Sequence, residues 1–127
     1  MKTTVRDVLE ANATIRQFGG LSLIPAAALK MAKLTRAIRQ EVEDIAEARK
    51  AIEAQHILKD DKGQPIPVDA AKPDLGSKVK DQAAFASAIA AMFKGEVDIK
   101  ADPLTMSDFG EEKVSSDLLV GLHFAIA

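Results

Sequence analysis

"PAAALKMAKLTRAIRQEVEDIAEARKAIEAQHILK", Pro25 to Lys59, decides the fold. After its first residue the stretch has no glycine or proline and is built from good helix formers. Pro25 suits the first turn of a helix, where its missing N–H costs nothing. At 1.5 Å per residue the run predicts a rod of about 50 Å, long for a chain of this size. On a helical wheel Ala27, Met31, Leu34, Ile38, Val42, Ile45, Arg49, Ile52 and His56 fall within about 40° of one line. Lys33, Arg36, Gln40, Glu43 and Glu47 take the opposite side, with Leu29 and Ala32 on that back near the start. The middle of the rod is therefore expected to bury one face, and its ends to be covered from more than one direction.

Outward from the rod, Thr4 to Phe18 reads as a first helix. Thr4 is the N-cap and Asp7 lies three residues on. Val5, Val8, Leu9 and Ile15 make its apolar face, and Gly19–Gly20 stops it. Leu21–Ile24 is a short extended link or edge strand. Downstream, Asp60–Gly63 is turn chemistry, and Pro65, Pro67 and Pro73 favour extended backbone. The span 59–76 is expected to be an exposed Pro/Gly loop, the most mobile part of the chain. Ser77 to Lys94 reads as a third helix, with Val79, Ala83, Ala86, Ile89, Ala90 and Phe93 on its buried side. Alternation in "EVDIK" predicts a strand through Val97 and Ile99, pairing with Ile66–Val68 or Leu21–Ile24. A last helix starts at Ser115 or Ser116. The expected fold is mainly α: one domain over residues 1–127, a long central helix, three shorter helices and a small two- or three-stranded sheet.

Composition limits the chemistry. The 127 residues include no cysteine, so disulfides and thiolate chemistry are excluded. No apolar core follows the first basic residue, unlike a signal peptide, and no run approaches the roughly 18 apolar residues of a membrane span. A cytosolic or assembly-located soluble protein is expected. No tryptophan or tyrosine is present to stack on bases. Charge is uneven: residues 1–39 hold seven Lys/Arg against Asp7 and Glu10, while the remainder is acidic. Such a split either steers a charged partner or draws two parts of one chain together.

No catalytic or ligand motif appears. "FGGLS" lacks the spacing and lysine of a phosphate loop. "DDKGQPIPVD" lacks the alternating acids and closing glutamate of a calcium loop. His56 and His123 lack the partners of a zinc motif or a catalytic triad. Asp98 and Asp102 are a pair of carboxylates of the kind used in acid–base chemistry, but they read more simply as a solvated acidic loop. No cofactor is expected.

Six residues stand out as candidates for interaction. Lys30, Lys33, Arg36 and Arg39 cluster on the rod as phosphate contacts would, yet Glu41, Glu43, Asp44 and Glu47 follow at once and would repel the same backbone. Arg39 and Glu43 stand at a local pairing distance. Arg49 and His56 lie on the otherwise apolar stripe. Arg49 either crosses to an acidic partner, with Glu96 or Asp98 as mates, or packs its stem with its head in water. His56 is either a pH-sensitive contact or a half-exposed helix end.

The order "VRDVLEANATIRQF", "EARKAIEAQHILKDDKGQPI", "FKGEVDIK" and "MSDFG…VSSDLLVGL" resembles a family of small uncharacterised bacteriophage proteins over nearly the whole chain. The resemblance implies phage or prophage origin and transfers no activity or functional residue. Together these readings suggest a non-enzymatic protein acting through protein contacts. Its partner would be itself, as a homo-oligomer, or another phage or host protein, with nucleic acid as the alternative and no membrane. It would serve as a virion or assembly component or as an accessory inhibitor of a host factor.

Overall fold

A computed structural model describes residues 1–17, 25–72, 75–109 and 116–127. The elements, in order, are strand β1 (Lys2–Thr4), helices α1 (Val5–Gln17), α2 (Pro25–His56) and α3 (Gln82–Phe93), strand β2 (Glu96–Asp98) and helix α4 (Ser116–Gly121). Short 3-10 turns occupy Met106–Phe109 and His123–Ala125. The fold is mainly α, with a long helix, three shorter ones and a two-stranded antiparallel sheet, as the hydrophobic periodicity predicts. The predicted stop at Gly19–Gly20, the link Leu21–Ile24, Pro73 and Ser115 lie outside the described residues. The chain divides into two compact units, Met1–Ile45 with Phe93–Ala127, and Ala46–Met92, each described in turn.

The first unit holds the core. α1 begins as predicted, with the Asp7 backbone N–H donating to Thr4 Oγ1 at 3.3 Å. Its first N–H, on Val5, donates to the Gly95 carbonyl. Val5, Val8, Ala11 and Thr14 are the buried face of α1, while Leu9 and Ile15 are half-buried. The stripe is thus rotated from the expected one toward the small residues that let α4 approach. On α2, Ala27, Leu34, Ile38 and Ile45 are buried and Met31 and Val42 half-buried. Ile99, Leu104, Phe109, Leu118, Leu122 and Ala125 join this core. Hiding a leucine or isoleucine of this kind stabilises the fold by about 1.5–3 kcal/mol.

β2 forms where "EVDIK" predicts, but its partner differs from either one expected. It pairs with β1, in the register Lys2↔Asp98, Thr3↔Val97 and Thr4↔Glu96. The Ile99 N–H extends the ladder to the Met1 carbonyl at 2.7 Å. Ile66–Val68 is instead occupied within the second unit.

The second unit joins the end of α2 to α3 through a hydrogen-bonded clasp. Three five-residue arcs, 56–60, 64–68 and 76–80, meet through antiparallel bridges Ile57↔Val79, Lys59↔Pro65 and Pro67↔Ser77. Leu58 N–H donates to the Lys78 carbonyl, Lys78 N–H to Ile66, and Ile66 N–H to Leu58, at 2.8, 2.7 and 3.0 Å. Around them Lys80 donates to His56, Asp60 to Gln64 and Val68 to Gly76. The six bonds repeat with pseudo-threefold regularity, each arc bonding both others. The first connection turns on Asp60, whose carboxylate accepts from the Lys62 and Gln64 N–H groups, and on Gly63 at φ 76°. Gly76, at φ 101°, enters the third arc. The span expected to be a loose loop is therefore tied at both ends and in its middle.

α3 is shorter than expected. Residues 77–80 belong to the clasp, and Asp81 caps the helix by accepting from the Ala83 and Ala84 N–H groups. None of its residues is buried. Phe85, Ala88, Ile89, Met92 and Phe93 are half-buried, whereas Ala83, Ala86 and Ala90, predicted inside, are exposed.

Candidate functional site

The six candidate residues separate. Lys30 turns away from the others, with Nζ 3.1 Å from Asp108 Oδ2 in the first unit's core. Asp108 is 6% exposed and its carboxylate also accepts the Thr105 N–H at 2.8 Å. That backbone hydrogen bond, helped by Lys30 and opposed by burial, holds the Asp108 carboxyl below the usual carboxylate range. Lys30 therefore holds the Met106–Phe109 turn in place, an ionic contact across 78 positions of sequence.

Lys33 and Arg36 stay exposed and together line an open cleft of about 830 Å³ in the first unit. Its rim also carries Gln40 from α2, Asp98 from the end of β2, and Lys100 and Asp102 from the segment that follows. Lys33, Arg36 and Lys100 have no ion pair among the described residues, whereas Asp98 accepts the Met1 amino group at 3.2 Å. The Asp98–Asp102 pair read from the sequence is thus one wall of a mixed-charge cleft. Sequence reading missed Lys100, which only the β1–β2 pairing brings toward α2.

Arg39 is exposed and forms no bond with Glu43; the local pair on that surface is Gln40 to Asp44, 3.3 Å apart. Arg49 is also exposed. It meets Glu53 one turn on, Nε to Oε1 3.1 Å; the suggested mates Glu96 and Asp98 belong to the other unit. His56 is half-buried, with Nδ1 2.8 Å from the Ile52 carbonyl and its ring 5.7 Å from that of Phe85. It ends the helix against α3 as an aromatic packing partner. His123 is exposed, 3.8 Å from Asp7.

A second candidate surface is apolar. No described side chain between Ala46 and Met92 is buried. Its "QAAFASAIAA" carries no charge, and Leu58, Val68 and Leu75 of the same unit stand exposed at 37%, 56% and 62%. In the first unit Leu29, Met106 and Val120 are also exposed. Among the described residues no group of three His, Asp or Glu is placed to hold a metal. No helix among them is long and apolar enough to cross a membrane. Set against protein-family models, curated proteins and solved structures, the chain matches none.

Proposed function

We propose that the chain is a non-enzymatic, phage-derived protein that works through protein–protein contacts, as a virion or assembly component or as an accessory inhibitor of a host factor. The observation that supports this reading is the second unit, two alanine-rich helical segments joined by the clasp, in which no described side chain is buried. A unit that encloses so little has little apolar burial to offset its chain entropy. A partner laid on it supplies what is missing. Phage origin rests on the sequence resemblance.

The test is recovery of partners from infected cells. Stoichiometric presence in purified particles, read by mass spectrometry, supports the structural role. A stoichiometric complex with one host protein supports the inhibitory role. Recovery of the chain as a free monomer in both fractions refutes the reading. Nucleic acid is the second reading, favoured by Lys33, Arg36 and Lys100, which have no ion pair among the described residues. It requires an affinity that falls steeply with salt and is lost in Lys33→Glu plus Arg36→Glu.

A further inference from the structure

The exposed back of α2 is ordered by charge. Lys33, Arg36, Gln40, Glu43 and Glu47 recur every three or four residues, so they share one ridge, and all five are exposed. The ridge is positive before Gln40 and negative after it. Lys33, Arg36 and Glu43 have no ion-pair partner among the described residues. Glu47 touches only Lys50, at 3.7 Å with both side chains about three-quarters exposed. The positive half borders the open cleft, which Lys100 and Asp102 also line and where Asp98 is held by the Met1 amino group.

We propose that this ridge pairs antiparallel with the same ridge of a second copy, about a two-fold axis passing beside Gln40. The inference rests on the protein-contact reading and names one partner for it. Residues equally far from Gln40 on either side then lie at the same height on the two helices. Lys33 stands opposite the second copy's Glu47, and Arg36 opposite its Glu43 and Asp44. Beyond the charges, Leu29, which is 61% exposed, meets the second copy's Ala51, so an apolar contact closes each end. A two-fold interface makes every contact twice. A parallel pairing in the same register would set like charge on like and is disfavoured. The antiparallel one matches sign along the whole ridge, and the acidic turn enters the positive side of the cleft.

The charge swap tests this. Sedimentation equilibrium of the full chain at low salt should show a dimer that loosens as salt is added, because exposed ion pairs are screened. Arg36→Glu and Glu43→Arg, each alone, should weaken dimerisation by about tenfold or more, since each turns two attractions into repulsions. The combined Arg36→Glu/Glu43→Arg chain should recover to within about threefold of wild type. Positions 36 and 43 are about 10 Å apart along one helix, so recovery has to come from between chains. Lys33→Glu serves as a second single variant, and circular dichroism checks that helix content is kept. A monomeric wild type at low salt, single variants that dimerise normally, or a double variant that fails to recover would each overturn the pairing. A monomer that still enters particles or a host complex refutes only the pairing. A charge-dependent dimer recovered without any other protein supports the pairing and leaves the virion and inhibitor roles refuted.

Discussion

Replacing Gly121 by alanine tests how closely α1 and α4 approach. Gly121 is buried, and a Cβ on it would stand 2.7 Å from Thr14 Cβ and 2.8 Å from Thr14 Cγ2, with Thr14 Oγ1 nearer still. Thr14 cannot easily swing aside. It is 8% exposed and its hydroxyl donates to the Glu10 carbonyl at 2.9 Å. Overpacking of this kind costs about 1–3 kcal/mol, and three atoms under 3.0 Å place the site at the upper end. Against that, alanine gains about 1 kcal/mol of helix propensity over glycine. The expected net loss is about 2 kcal/mol, or a fall in Tm of about 6–8 °C for a chain of this length. Thermal and urea unfolding followed by circular dichroism would read it. Thr14→Ala removes two of the three colliding atoms, so Gly121→Ala should cost less than half as much in that background. A Gly121→Ala chain within about 0.5 kcal/mol of wild type, or one whose cost is unchanged beside Thr14→Ala, would refute the close packing of α1 on α4.

Ile38→Ala should lower stability by about 3 kcal/mol in urea titration, because it empties the middle of the core stripe on α2; a loss under about 1 kcal/mol would place Ile38 at the edge of the core instead. Arg49→Ala should change stability by no more than about 0.5 kcal/mol, since its bond to Glu53 is an exposed pair on one helix. A larger loss would mean that Arg49 has a partner beyond Glu53. For Asp108 the folded-state carboxyl is held below its ordinary range. Its contribution is therefore complete above the unfolded-state value and is lost as pH falls through the lowered folded-state one. Wild type should accordingly lose urea resistance on acidification more steeply than Asp108→Asn, and parallel curves for the two would contradict the Lys30 and Thr105 contacts.

The parts of the fold legible in the sequence are those written in local periodicity. The α2 stripe repeats over many turns, so Leu34, Ile38 and Ile45 declare themselves, and Thr4 and Asp7 mark the start of α1. β1 is three residues long and its partner lies across most of the chain, so nothing near Lys2 announces it. Val79 fits a helical stripe as well as it fits an arc of the clasp, and this drew the expected third helix too far back. The better signal was Asp81, a capping residue two and three positions before the N–H groups it accepts. Lys30 was indistinguishable from Lys33 in sequence, because only the Met106–Phe109 turn brings Asp108 to one and not the other. Arg49 and His56, read as opposite possibilities, each have a contact within the second unit, to Glu53 and to Phe85.

The clasp also bears on aggregation and on folding order. In an ordinary small sheet the outermost strands keep a row of unsatisfied backbone groups, an invitation to any stray extended chain. At Leu58, Ile66 and Lys78 the closure uses both backbone groups, so those positions offer a foreign strand no docking rail. The closure carries a kinetic obligation as well. Removing any one arc orphans donors on the other two, so the connection between α2 and α3 is expected to zip shut, and to open, as one event.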